Sequence, residues 1–174
     1  MKMSVTMARL SALLVAFSLC APVALARDVK HHMPIQDALE LGKAEGKLDE
    51  EIGFYFSGQT NPAVETKLAP GVVTNKRTNS VEKTPKEACQ WAMLLALIEL
   101  QDRARKEGGN AIINIESYYK KKSFKSKDQY ECHDGRIVSS VSLKGDVVKL
   151  SEEDADKPAG GAAKPGSNAA KPSK

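Results

Sequence analysis

The sequence predicts an α+β fold, a small and mainly antiparallel sheet of about four or five strands packed on one long helix, residues 84–108, in a single domain. Three observations predict it. The segment TPKEACQWAMLLALIELQDRARKEGG carries helix signals at both ends. The run AIINI follows it directly, too short for a helix and rich in β-branched residues. Two alternating segments then flank Asp134-Gly135, a strong two-residue turn signal.

Both ends of the chain read as expendable. The first 26 residues begin with Lys2 and Arg9, continue into LSALLVAFSLCAPVALA and close on Ala24-Leu25-Ala26. That is a secretory signal with a small-x-small cleavage site after Ala26. Its apolar core is broken by Pro22 and falls short of the roughly 20 residues a permanent span needs. Lipidation at Cys20 is not expected, because Leu19 stands where lipoprotein processing requires Gly, Ala or Ser. Lys2 and Arg9 are its charged residues, so cleavage lowers the net charge from +4 to +2. A near-neutral domain gives no general reason to expect nucleic acid as a partner. Residues 151–174, SEEDADKPAGGAAKPGSNAAKPSK, hold no aromatic or large aliphatic side chain, and four acids offset four lysines. Such a tail cannot bury enough apolar surface to offset its ordering entropy, and it is expected to be disordered.

The domain, residues 27–150, is then read in order. Ile35, Ala38, Leu39 and Leu41 line one side of a short helix that Gly42 weakens. IGFYFSG reads as a strand; an irregular Pro-containing loop follows, and GVVTNKRTNS supplies a second strand. In the long helix Thr84 is the cap, Pro85 occupies the first helical position and Glu87 completes a capping box. WAMLLALI is apolar around most of its circumference, so the N-terminal half is expected to be deeply buried. Gly108 and Gly109 end the helix in a left-handed turn. Phosphate loops place glycines before a helix, at its positive end; here they follow it. In the next strand Ala111, Ile113 and Ile115 are expected against the helix, with Ile112 and Asn114 on the opposite face. KKKSFKSK is expected to be an exposed, mobile loop. Residues 128–133 and 136–143 form the hairpin, with Ile137, Val141 and Leu143 toward the core. Gly145-Asp146 makes a further break before VVKL, a short last strand.

Few side chains suggest chemistry. Once Cys20 leaves with the leader, Cys89 and Cys132 remain, and an oxidising compartment allows them one pairing. Closing a loop of about 40 residues stabilises the fold by roughly 3 to 4 kcal/mol. His31, His32 and His133 are candidate metal ligands, but no His-x3-His or Cys-x2-Cys frames them, and neighbours on an extended chain point opposite ways. No nucleotide-binding loop, Gly-x-Ser-x-Gly or dinucleotide fingerprint occurs, so neither a cofactor nor an enzymatic activity is expected. Glu99, Asp102, Arg103 and Arg105 fit surface ion pairing. Tyr118, Tyr119, Lys120, Lys121, Lys122, Phe124, Lys125 and Lys127 interleave rings with ammonium groups and form a candidate anion-contact segment.

The combination CQWAMLLALIELQDRARKEGGNAIINIESYYKK, YECHDG and LKGDVVKL resembles a family of small exported proteobacterial proteins of uncharacterised function. The resemblance covers most of residues 27–150. Many members of that family carry the label of an excinuclease ATPase subunit, which implies phosphate loops and zinc-binding cysteines; this sequence has neither, and that activity is not expected. More distantly, the helix ending in Gly-Gly-Asn-Ala-Ile is similar to RcsF, an envelope-stress sensor lipoprotein, and to YbjQ-like domains linked with heavy-metal binding. The resemblance implies a sheet with one main helix, disulfides and protein partners. The expectation is a periplasmic, non-enzymatic binding or interaction module of envelope homeostasis, without a permanent membrane anchor. Its partner would be an envelope protein or an anionic envelope component. The competing expectation is a periplasmic metal-binding protein.

Overall fold

A computed structural model describes residues 28–151. The expected leader, with Cys20 and the cleavage point after Ala26, and all but the first residue of the expected tail lie outside the described residues. The elements run β1 (Val29–Pro34), α1 (Ile35–Ala44), β2 (Gly53–Phe56), β3 (Val64–Asn79), α2 (Pro85–Glu107), β4 (Ala111–Tyr119), β5 (Lys122–Phe124), β6 (Gln129–Asp134) and β7 (Val138–Leu150). The fold is α+β in one domain, with a sheet of seven strands in place of the four or five expected. β2 and β4 are parallel, and every other pair of neighbouring strands among the described residues is antiparallel.

β7 is the axis of the sheet. One edge pairs with β3 from Val138 to Leu150. The other pairs first with β6, at Ser139 and Ser140, and then with β4 from Leu143 to Val148. The sheet therefore forks along β7, one branch leading to β6 and β1, the other to β4, β5 and β2. Ser139, Val141, Leu143 and Val147 share one parity and are fully buried. A strand bonded on both edges and packed on one face explains that burial.

α2 begins and ends where its caps place it. The Thr84 hydroxyl accepts from the Glu87 N–H at 3.2 Å, satisfying one of the orphan donors of the first turn. At the far end Gly108 adopts φ 73°, and the Gly109 N–H donates to the Ala104 carbonyl at 2.8 Å. A Cβ on Gly109 would sit 2.8 Å from the Val148 oxygen, so the chain can reverse this tightly only without a side chain. Asn110 then accepts from the Leu150 N–H at 2.7 Å and donates to the Leu150 oxygen at 3.3 Å, tying the reversal to the end of β7. The glycine pair serves the fold.

The main core joins both layers. Met93, Leu94, Leu97 and Leu100 of α2 are fully buried against Ile112, Ile115, Val141, Leu143 and Val147 of the sheet. Each such side chain stabilises the fold by about 1.5–3 kcal/mol relative to exposure. A smaller cluster of Tyr55, Ala111, Ile113, Val148 and Leu150 forms separately from it.

Several expectations are corrected. Ile112, with Ile115, packs against α2, while Ala111 and Ile113 belong to the smaller cluster. The reason is a bulge: β4 shifts register between Ile113 and Glu116, with Asn114 at φ 54°, and every parity beyond it reverses. Ile137 is 65% exposed because it lies in the loop closed by the Gly135 N–H to Val138 carbonyl bond, not in the strand. Gly145-Asp146 is no break, since β7 continues through both. The segment before Gly71 is also strand: β3 starts at Val64 and carries Pro70-Gly71 on a bulge of an edge strand. Gly42 does not weaken α1 but permits its packing, because a Cβ there would meet Leu48 and Leu94 side-chain carbons at 2.5–2.8 Å. Finally, KKKSFKSK is not a loop throughout. Tyr119 pairs with Lys122 across Lys120 and Lys121, which take φ 50° and 63°, the mirror-image turn that suits a two-residue hairpin.

Candidate functional site

The pairing of β1 with β6 sorts the three histidines. His31 lies opposite Cys132 and shares the inner face with Tyr130 and Met33. Its Nε2 is buried without a hydrogen-bond partner among the described residues. Lys30, His32, Glu131 and His133 project from the other face. Sequence neighbours on a strand thus end on opposite sides, and His31 cannot join the other two.

Around His133 the outer face becomes a network. Nδ1 lies 2.7 Å from Asp28 Oδ1 and Nε2 lies 2.7 Å from Glu131 Oε1. Carboxylate oxygens only accept, so both bonds are made at once when each ring nitrogen carries a proton. The Tyr119 ring stacks on the imidazole with centroids 3.4 Å apart and planes 17° apart. Tyr119 also donates its hydroxyl to Asp28 Oδ2 at 3.2 Å, and Lys120 Nζ stands 3.5 Å from that oxygen. The second Glu131 oxygen faces Lys30 at 3.7 Å and His32 at 3.8 Å. Phe124 covers the His32 ring at 4.4 Å, nearly parallel. Ser117 fixes the strand beneath, accepting from the Glu131 N–H at 2.8 Å.

Burial raises the pKa of the Asp28 carboxyl, but the His133 hydrogen bond and charge, the Tyr119 hydroxyl and Lys120 outweigh it, and the net position is below the ordinary value. Lys120 is held above its ordinary value, chiefly by Tyr119, with Asp28 contributing less.

A second polar centre sits at the β4 bulge. An open cleft of about 240 Å³ is lined by Ser57, Asn114, Glu116, Lys125, Lys144, Gly145 and Asp146. Glu116 accepts from Ser123 at 2.8 Å and faces Lys144 at 3.3 Å and Lys125 at 3.7 Å. Lys144 also lies 5.0 Å over the Tyr118 ring. Asp146 accepts from the Gly71 N–H at 2.8 Å and from Asn114 at 3.2 Å, and so pins the bulges of β3 and β4 together. Burial pushes the Asp146 carboxyl upward, but these donors and Lys67 prevail and hold it below its ordinary value. With each charge matched by an opposite one, this cleft is a structural junction.

The predicted residues divide accordingly. Cys89 and Cys132 are joined in a disulfide, Cα atoms 5.9 Å apart, linking the first turn of α2 to the inner face of β6. Of the anion-contact segment, Tyr118, Tyr119, Lys120 and Lys125 are engaged within the molecule. Lys121, Lys122 and Lys127 form no ion pair with the described residues and remain turned to solvent. His32 and His133 meet on Glu131, yet no group of three His, Cys, Asp or Glu side chains among the described residues is gathered so as to hold a metal ion. The predicted surface pairing on α2 is present in part as expected: Arg103 reaches Glu107 at 2.8 Å and Arg105 reaches Asp102 at 3.4 Å, but Glu99 turns to Thr74 and Lys76 of β3.

Asp28, Lys30, Ser117 and Glu131, all part of the network, escaped the sequence reading. Glu131 carried a signal, since alternation places it beside His133 once β6 is recognised as a strand. Asp28 carried none: it is joined to the site across 105 positions of sequence. No family model, curated protein or solved structure matches the chain. Among the described residues, no helix is long and apolar enough to cross a membrane.

Proposed function

We propose that the protein is a periplasmic, non-enzymatic binding module that meets an anionic component of the cell envelope through the β4–β5 hairpin. The observation that carries this reading is the hairpin tip: Lys121 and Lys122 stand on a turn rigidified by strand pairing, beside Tyr118 and Tyr119, with no acid paired to them among the described residues. Exposed ammonium groups without an internal partner attract anions with no ion pair to break first. The secretory leader read from the sequence and the Cys89–Cys132 bond support an exported location. On the outer face His133, Asp28 and Glu131 are already engaged with one another, which fits binding better than turnover. Nucleic acid is not the proposed partner, given the near-neutral domain.

The test is co-sedimentation of the exported protein with purified cell-wall sacculi and with phosphatidylglycerol vesicles, using phosphatidylcholine vesicles as the neutral control. Salt-sensitive binding to an anionic surface, lost in the variant carrying Lys121→Glu and Lys122→Glu, is the expected result. Equal binding by that variant would remove the hairpin from the reading, and mass spectrometry showing an uncut leader would remove the location.

The second reading, a metal-binding periplasmic protein, is favoured by one observation: His32 and His133 address the two oxygens of a single carboxylate. Titration calorimetry with Zn²⁺ and Cu²⁺ separates the readings. Saturable heat lost in His32→Ala and in Glu131→Gln would favour the metal, and its absence would leave the anion.

A further inference from the structure

The Asp28 carboxylate is held in a way that resembles a bound ligand. It belongs to the residue that precedes β1 and lies outside any strand, and its side chain is 39% exposed. Every group that holds it comes from elsewhere in the chain: His133 on β6, Tyr119 at the end of β4 and Lys120 on the hairpin turn. Oδ1 takes the imidazole Nδ1 at 2.7 Å. Oδ2 takes the Tyr119 hydroxyl at 3.2 Å and the Lys120 ammonium at 3.5 Å. An imidazole N–H, a phenol and an ammonium arranged around two oxygens form a donor set that recognises a carboxylate.

The imidazole is positioned without any help from Asp28. Glu131 fixes the far nitrogen of the imidazole at 2.7 Å, and the stacked Tyr119 ring fixes its plane. Pairing of Tyr119 with Lys122 sets the face on which that ring stands, and stacking on His133 sets its plane. His133 is only 12% exposed, so its charged bonds are shielded from water, while the exposed Asp28 edge leaves a way in. The imidazole is held on its far side and its face, and the occupant comes from the residue just before β1.

We propose that His133, Tyr119 and Lys120 form a carboxylate-binding site in which Asp28 is a tethered, displaceable occupant, and that a free carboxylate on an envelope component takes its place. This rests on the anionic-partner reading above and names the chemistry of that partner. Displacement exchanges one carboxylate for another, so no charge is left uncompensated in the site, and the freed Asp28 returns to water. A tethered group competes at an effective concentration of the order of millimolar, so removing it raises the apparent affinity for an outside ligand.

The experiment uses the full exported protein and a short N-acetylated peptide with one free C-terminal carboxylate, followed by NMR shifts of the His133 ring. The same peptide as its amide, and inorganic phosphate, are the control probes. Asp28→Asn is expected to bind the free-acid peptide about twofold more tightly than the unaltered protein, the gain from removing a weakly held internal competitor. Tyr119→Phe on that background keeps the stacked ring and loses the donor, and should give back much of the gain. His133→Gln should abolish it. An unchanged affinity in Asp28→Asn, equal binding of the amide, or binding of phosphate with none of the acid would each overturn the proposal. Loss of this effect with hairpin-dependent sacculus or vesicle binding retained would defeat the site alone. Loss of the surface binding as well would defeat the anionic-partner reading.

Discussion

Along β6 the side chains of Tyr130 and Cys132 turn toward α2, while those of Glu131 and His133 turn away, and the two sets answer to different physics. The inward set is dry. Tyr130 is 1% exposed and Cys132 fully buried, and what they contribute is apolar contact and one covalent link. The outward set is held by charge-assisted hydrogen bonds at a partly wet surface, where each bond contributes little to stability but fixes a direction. One strand thereby separates the packed part of the molecule from the part proposed to exchange partners.

The sharpest way to test that division is to cut the inward link. Replacing Cys89 and Cys132 together with Ala removes a cross-link spanning 43 positions. Loop-closure entropy puts the expected loss at about 4 kcal/mol. Denaturant unfolding of the double variant should show it as a lower midpoint. A loss below about 1 kcal/mol would mean that the bond adds little to what α2 already secures by packing.

A smaller effect of opposite sign is expected two residues away on the same face. The Tyr130 hydroxyl is buried without a hydrogen-bond partner among the described residues. Burial, with the Asp37 charge adding less, pushes its ionisation far above the ordinary range, so the group stays a neutral phenol. An unpaired buried hydroxyl costs about 1–3 kcal/mol. Tyr130→Phe should therefore leave stability unchanged or raise it by about 1 kcal/mol, measured by the same unfolding transition. A clear loss would show that the hydroxyl has a partner, such as an enclosed water.

The inward face was also the more legible of the two. Thr84, Pro85 and Gly108 delimit α2 by local chemistry, and two cysteines after the expected leader allow one pairing, so both could be read without knowing the fold. The parity of Ile112 and Ile113 could not, because a single extra residue at Asn114 reverses it and nothing local announces a bulge at an asparagine. The Lys120-Lys121 turn was hidden for a related reason. Its backbone takes the left-handed region that Asn-Gly normally signals, and strand pairing imposes it on two lysines. β1 was missed because VKHHMP is only half buried and pairs on one edge. The outward network depends on β1, so the proposed binding site was the least visible.

The last and smallest effect is expected at the outward face itself. Asp28 has a folded-state pKa below its unfolded value, burial being outweighed chiefly by His133. A depressed carboxyl contributes stability that is fully present above the unfolded value, near 3.9, and is lost as the pH falls through the folded one. With its side chain 39% exposed, water screens most of the interaction, and a few tenths of a kcal/mol is the expected scale. Thermal melts should then separate the unaltered protein from Asp28→Asn slightly at about pH 7, and the two curves should converge toward about pH 2.5. Were the separation to reach several kcal/mol, Asp28 would be a structural anchor rather than an exchangeable occupant. The contrast between the two faces of β6 would fail at the residue on which the proposed binding site depends.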